Sequence, residues 1–360
     1  MNFRKVINYS KVGYSSIVNY MNPKDLIYVI EAESWSIKWD GLYITKNLQG
    51  MIDSATRLTH CGLRDGKSKI VHFGSLHTYI PPLNYRKTKN VVTCFHIDPD
   101  ARKTIAKVKD NFEEIDILHT SCQITKEILI DELDMTGAEK IKVIPLGVDH
   151  EIFRELQCKN ELRKKYGIPT DKFVIGSFHK DGIGWGEGLT PKLIKGPDTL
   201  VDVLRRLSSK NDLFVLLTGP ARGFVKSKLE KYDIPYRHFF INNYLDMNLY
   251  YNMIDAYLIT SRAEGGPKGL IESMACKIPV VSTRVGMAHD IVKDGMNGYI
   301  AEIDDIRSLV EKMELLISND ELRYEIGING FDTSLNFTWK KIAKRYFDEL
   351  YDPLFCNSRL

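Results

Sequence analysis

The chain has 360 residues, of which 43% are apolar and 27% charged, and its net charge is +3. That length exceeds one compact core and calls for two domains of ordinary globular composition. The balanced charge excludes a nucleic-acid footprint, and no apolar run approaches the roughly 20 residues of a membrane-spanning helix.

The opening "MNFRKVINYS" lacks the apolar stretch of a signal peptide, which places the chain in the cytoplasm. The six cysteines, at 61, 94, 122, 158, 276 and 356, form no C-x-x-C pair and read as reduced thiols. The first 24 residues show no clean period. Short apolar runs then follow as buried strands: "LIYVIE" (26–31), "KIVHF" (69–73), "NVVTCFHI" (90–97), "IDILHTS" (115–121) and "IKVIPLG" (141–147). A boundary is expected near "LGVDHEIFRE" (146–155), ahead of a charged helix. The second group of runs is "KFVIGSF" (172–178), "LFVLLTG" (213–219), "HFFIN" (238–242), "DAYLITS" (255–261) and "IPVVST" (278–283). Helical patterns such as "TLVDVLRRLS" (199–208) and "SLVEKMELLIS" (308–318) separate them. Strands alternating with helices predict parallel sheets covered on both faces. The fold class is therefore α/β, with two doubly wound, Rossmann-like domains facing across a cleft. Their expected bounds are 1–150 and 151–335, and residues 336–360 form a final helix packing back on the first domain. In that helix Ile342, Tyr346, Phe347 and Leu350 share the apolar side.

The stretch "SRAEGGPKGLIESMA" (261–275) joins two of these strands. Seven residues separate Glu264 from Glu272. Pro267 suits the first position of a short helix, which opens at the carboxyl end of a sheet, where open α/β folds bind ligands. Gly265, Gly266 and Gly269 clear side chains from a helix N-terminus that favours phosphate. Two carboxylates beside phosphate make sense if they accept hydroxyls on either side of it, as in a sugar–diphosphate–nucleoside. The same local pattern also fits a capped helix with a glycine turn and two solvated glutamates.

"EGGPKGLIE", followed by "SMACKIPVVSTRVGMAHDIVKDGMNGYIA", resembles the signature of the retaining GT-B glycosyltransferases of family four, the glycosyl transferases group 1. "IDILHTSC", "IKVIPLGVDHEIF" and "IGSFHK…KLIKGPDTLVDVLRRL" are similar to its preceding strand, domain junction and phosphate-binding lysine segment. This ordered set runs from about residue 90 to 305. The resemblance implies that Glu264 contacts the donor sugar and Glu272 the nucleotide ribose. The backbone from Gly265, Gly266 and Pro267 to Lys268, Gly269 and Leu270 would then sit against the diphosphate. Lys195 matches the family's lysine. The family's arginine has no clear counterpart, because "DGIGWGEGLTP" (181–191) is inserted ahead of Lys195. Lys180 is the first choice for that basic partner and Lys192 the second, with surface charge as the alternative for both. The insert, with Trp185, reads as a mobile flap over the site. His96 matches a histidine that faces the donor sugar, with Asp98 close by, and hinge closure would bring His96 toward Glu264. "SWSIKWDGLYITKNL" would supply the loop before the first domain's first helix, with Asp40-Gly41 where the family has Gly-Gly. Trp35 and Trp39 there are core or shape an acceptor pocket. Arg222 in "TGPARG" would lie near the phosphates or the base, and Tyr244 and Leu245 near the base. Lys268 stands where the family seldom carries a charge.

The implied reaction is transfer of a hexose-type sugar, with retention, from a nucleoside-diphosphate donor to an acceptor hydroxyl, in glycan or polysaccharide synthesis. Glu264, His96 and Lys195 are the catalytic candidates. The expected reaction is metal-independent and needs no cofactor beyond the donor. The expected partners are the nucleotide sugar and a carbohydrate or lipid-linked acceptor, with no nucleic acid. Local Lys/Arg clusters leave room for peripheral contact with the inner face of a membrane. The competing expectations are a non-catalytic, nucleotide-binding scaffold subunit and a sugar-nucleotide epimerase of the same fold.

Overall fold

A computed structural model describes residues 24–31, 36–52, 57–60, 68–79, 88–95, 97, 102–133, 138–184 and 186–356, with single positions at 14, 18 and 21. His96, Asp98, Trp35 and Trp185 lie outside the described residues. The chain divides into two compact units, one of residues 1–147 with 339–360 and the other of residues 148–338.

The first unit is built on a parallel sheet. Its strands are β1 (Leu26–Val29), β2 (Arg57–Thr59), β3 (Ile70–Phe73), β4 (Lys89–Thr93), β5 (Ile117–Thr120) and β6 (Ile141–Val143), in the order β2-β1-β3-β4-β5-β6. Every residue of β1 and β3 is buried, as a sheet covered on both faces requires. Asp40 and Gly41 do not form a loop before a helix. They lie inside the helix Ser36–Asn47, where the Gly41 carbonyl accepts the Thr45 hydroxyl at 2.7 Å.

The end of the chain completes this unit. Trp339–Tyr346 is helical, Phe347–Tyr351 forms a π turn, and Asp352–Cys356 is helical again. Trp339 stacks on Tyr43 of the helix Ser36–Asn47, with ring centroids 5.3 Å apart and planes 5° from parallel. Gly147 lets the backbone pass beneath this indole, since a Cβ there would stand 2.5 Å from Trp339. Tyr351 and Tyr346 then reach a buried polar chain. His72 meets the Tyr351 hydroxyl at 2.6 Å through Nδ1 and the Thr93 hydroxyl at 2.8 Å through Nε2. Thr93 meets His119 Nδ1 at 2.9 Å, and His119 Nε2 meets the Ile144 carbonyl at 2.9 Å.

The second unit is a parallel sheet of β7 (Phe173–Phe178), β8 (Leu213–Thr218), β9 (Tyr236–Phe239), β10 (Ala256–Ile259), β11 (Val280–Thr283) and β12 (Tyr299–Ala301), in the order β12-β11-β10-β7-β8-β9. Pro197 opens the helix Pro197–Ser208, whose Leu200, Val203, Leu204 and Leu207 enter the core beside Val215, Leu217 and Leu258. The two strands absent from the sequence reading, β2 and β12, have three residues each and close the edges of their sheets. Among the described residues no helix is long and apolar enough to cross a membrane.

The histidine chain sets a pH dependence. Burial, with the neighbouring His119, holds the His72 pKa well below 6.5, and burial lowers that of His119 to about 4. Below about pH 6.5 the unfolded chain takes up protons that the folded one refuses. Their stabilisation is therefore complete above that pH and is lost as pH falls toward about 4. Denaturant titrations across this window should give a falling unfolding free energy, and a flat profile would refute the assignment. At neutral pH Tyr351→Phe, which strips His72 Nδ1 of its partner, should cost about 1–3 kcal/mol.

Candidate functional site

The second sheet grows in opposite directions from β7. The chain first adds β8 and β9 on one side, then returns to place β10 against the other. The carboxyl ends of β7 and β10 are thus neighbours that no connection covers, and this is where open α/β sheets bind ligands. His179 and Lys180 follow β7, and the 261–275 stretch follows β10.

Lys195 comes to this point through a short turn, Leu193–Lys195, which ends on Gly196 at φ 59°. A Cβ on Gly196 would stand 1.8 Å from the Thr260 carbonyl, so glycine alone fits there. The two segments are tied together. Arg262 N and Ala263 N donate to the Ile194 carbonyl at 2.8 and 3.1 Å, and the Thr260 hydroxyl donates to the Gly196 carbonyl at 2.9 Å. Arg262 adds a fork, with Nη1 and Nη2 each 2.8 Å from the Asp198 carboxylate and Nε 2.9 Å from Asp304.

This clamp sets Lys195 Nζ 2.6 Å from Glu264 Oε1, both side chains being about 15% exposed or less. The Ser261 hydroxyl donates to the same oxygen at 2.9 Å. Burial pushes the Glu264 carboxyl up, but the charge and hydrogen bond of Lys195 outweigh it, so the group titrates below the usual range and is ionised at neutral pH. His179, which the sequence reading quoted without assigning a role, is the third member. Its pKa falls to about 3 through burial first and then through Arg222 and Lys195, while Glu264 opposes the shift. It is therefore a neutral imidazole at the centre of the charges. Its position directly after a strand at the switch point was the signal available in the sequence.

Glu272 lies in the helix Lys268–Ala275, which begins after Pro267 with no side-chain cap. In its first turn Leu270 N donates to the Pro267 carbonyl at 2.9 Å, and a helix start of this kind favours an anion. Glu272 itself is 3% exposed. Its Oε1 accepts the Tyr244 hydroxyl and its Oε2 the Tyr251 hydroxyl at 2.8 Å. Lys268 Nζ sits 4.8 Å from the centre of the Tyr244 ring, a cation–π geometry. The structure therefore makes two clusters from the expected residues, Lys195 with Glu264 and Lys268 with Tyr244 and Glu272. Lys180 and Lys192 flank the 181–191 insert, both partly buried. Tyr251 was missed because one more tyrosine in an aromatic helix carries no mark of its hydroxyl's partner.

Two expectations change. Arg222 does not present its guanidinium as a phosphate ligand. It is 1% exposed, Nη1 donates to the carbonyls of Ser177, His179 and Thr218 at 2.8, 2.8 and 3.0 Å, and Nε stands 3.1 Å from Asp181. It fixes the ends of β7 and β8. The insert is likewise a docked hairpin rather than a loose flap. Gly182 bridges Pro191, and Ile183 N donates to the Thr190 carbonyl at 2.9 Å. Gly223 N and Phe224 N then donate to the Glu187 and Gly188 carbonyls at 2.6 and 3.0 Å. A cavity of about 580 Å³ opens at the opposite, amino end of the strands, beside Asp255 and Pro279. Its lysines are already paired, Lys159 with Asp255 at 2.6 Å and Lys277 with Glu155 at 2.7 Å. We place the chemistry at the switch point because open α/β sheets bind ligands at the carboxyl ends of their strands.

The family described as "Glycosyl transferases group 1" matches residues 159–333. The capsular polysaccharide biosynthesis glycosyltransferase CapM of Staphylococcus aureus is 28% identical over 255 residues, 68% of this chain and 63% of that protein. An uncharacterized glycosyltransferase, MJ1178, of Methanocaldococcus jannaschii is 42% identical over 98 residues, 26% of this chain and 28% of that protein. The chain thus spans less than two thirds of these curated relatives. Among solved structures, Anabaena Alr3699/HepE in complex with UDP-glucose superposes with a TM-score of 0.74 at 15% identity, covering 91% of this chain and all of that one. A glycosyltransferase from Rickettsia africae superposes at 0.70 and 16%, covering 93% of this chain and all of that one. The fold is the two-domain, Rossmann-like GT-B fold.

Breaking the Arg222 clamp should unfold rather than inactivate. Arg222→Met leaves Asp181 buried without its cation and should cost roughly 3–5 kcal/mol in urea titrations. A loss below about 1 kcal/mol would contradict the structural role.

Proposed function

We propose that this chain, whose residues 159–333 match the glycosyl transferases group 1 family, transfers a hexose-type sugar from a nucleoside diphosphate to an acceptor hydroxyl. The observation that carries this is the 2.6 Å pair of Lys195 and Glu264 at the switch point, with an uncapped helix N-terminus and a buried carboxylate, Glu272, beyond it. That order suits sugar, diphosphate and ribose in turn.

In the proposed reaction the acceptor oxygen bonds to the anomeric carbon as the bond from that carbon to the β-phosphate oxygen breaks. The acceptor proton passes to the departing phosphate, so no separate base is required, and departure on the face of attack retains the configuration. Lys195 and the first N–H groups of the Lys268–Ala275 helix meet the charge that grows on the leaving oxygen. Glu264, ionised, accepts sugar hydroxyls and favours the positive character of an oxocarbenium-like centre. His179 is neutral and so adds no charge that would oppose that centre. The donor's base is named by the screen below, whereas metal independence and a hexose-type sugar are part of this reading. So are the assignments of Lys180 and His96, a cytoplasmic location and peripheral contact with a membrane.

Solved relatives of the fold include complexes with UDP and UDP-glucose, and CapM is named for capsular polysaccharide biosynthesis. These support a nucleotide-sugar donor and a glycan-building role. UDP-, GDP- and ADP-sugars, screened for release of the nucleoside diphosphate, test it. One donor should turn over, and Lys195→Ala should lower kcat by roughly a hundredfold or more, with Glu264→Gln similarly impaired. Tight nucleotide binding with no turnover across acceptors would replace the transferase by a binding subunit.

A further inference from the structure

Glu272 poses a problem of access. A carboxylate that accepts ribose hydroxyls must be reachable, yet this one is 3% exposed and both of its oxygens are covered by tyrosine hydroxyls. The two tyrosines are not equivalent. Tyr251 is 1% exposed and wedged among Phe153, Phe178 and Tyr257, with ring centroids 5.1–6.1 Å away. Tyr244 is partly exposed and opens a three-residue turn, Tyr244–Asp246, whose cap is the exposed Asn243. Its ring lies between Phe153, at 5.6 Å, and the Lys268 ammonium, at 4.8 Å.

We propose that the Tyr244 hydroxyl stands in for a ribose hydroxyl on Glu272 Oε1, and that the vicinal diol of a nucleoside diphosphate displaces it. Tyr244 thereby competes with the diol and tempers the preference for ribonucleotides over their dideoxy counterparts. This rests on reading the site as one for nucleotide sugars. A carboxylate covered from water needs donors at all times, and Tyr244 supplies one until the diol arrives. The exchange conserves hydrogen bonds, since one O–H leaves Oε1 as another reaches it, and no covalent bond changes. Tyr251 stays on Oε2 and holds the carboxylate plane. A ligand without the diol has nothing to offer Oε1 in return and gains nothing by moving Tyr244.

Calorimetric titration of UDP, GDP and ADP, each beside its 2′,3′-dideoxy counterpart, tests this on the wild type and Tyr244→Phe. Phenylalanine keeps the ring against Phe153 and Lys268 and removes only the competing hydroxyl. The ribonucleotide that binds should bind the variant roughly threefold to tenfold more tightly, while its dideoxy counterpart changes by less than about twofold. Ribonucleotide binding that is unchanged or weaker in Tyr244→Phe, with an unaltered melting temperature, overturns the proposal. In Tyr244→Leu, which also removes the ring, the ribonucleotide should again gain on its dideoxy counterpart, and a constant ratio would count against displacement. Lys195→Ala separates the two levels. Binding that is lost in Lys195→Ala but indifferent to Tyr244 keeps the nucleotide-sugar reading and sinks only the displacement. Absence of nucleotide binding in the wild type sinks both.

Discussion

The second unit depends on one topological constraint, the reversal of strand addition at β7. Two parallel strands laid down at different times leave their carboxyl ends adjacent and uncovered. Everything chemically distinctive is attached to those ends. The turn carrying Lys195 and the loop carrying Glu264 are bound to one another through Ile194, Gly196, Thr260 and Arg262 before either side chain is considered. The 2.6 Å pair therefore follows from backbone contacts that fix where its members can be. Positioning of this kind is what a reaction controlled by electrostatics requires, because donors already in place need no reorganisation when charge develops.

The sequence disclosed the elements whose signal is strong burial. β1, β3, β8 and β10 are buried at every residue, and such strands appear as unbroken apolar runs. β2 and β12 escaped because a three-residue edge strand is held by pairing on one side and needs no run. Asp40-Gly41 read as a loop because it stands where the resembled family has Gly-Gly, and although both residues are poor helix formers the helix Ser36–Asn47 continues through them. There Asp40 is 2% exposed and Tyr43 is stacked on Trp339. Tertiary burial overrode local preference, and the deciding partner lay almost 300 residues away.

The site was legible in the same uneven way. Glu264 and Glu272 stand out through the resemblance to the family's glutamate pair and Lys195 through its lysine segment, while the local pattern alone fits a capped helix equally. Arg222 misled because a charge near a glycine turn looks identical whether it faces a ligand or a set of carbonyls. Three carbonyls and Asp181 decide the matter, and of these only Thr218 belongs to the "TGPARG" stretch. His179 and Tyr251 show the converse. Their significance comes from what surrounds them, a neutral ring among charges and a hydroxyl on a buried carboxylate.

The two glutamates therefore differ in a way their spacing conceals. Glu264 is held ionised by an opposite charge, and Lys195 can answer to a phosphate while remaining near it, so that end of the site responds to charge. Glu272 is held by two neutral hydroxyls and is shielded from water. An anion offers it nothing, and a cation would face a desolvation cost on entering. Neutral donors, hydroxyls among them, can replace its tyrosine partners without changing the charge of the pocket. The distance between the two clusters, set by a glycine-bearing helix start, then separates a site for charge from a site for hydroxyls, and a diphosphate flanked by a sugar and a ribose presents those groups in that sequence.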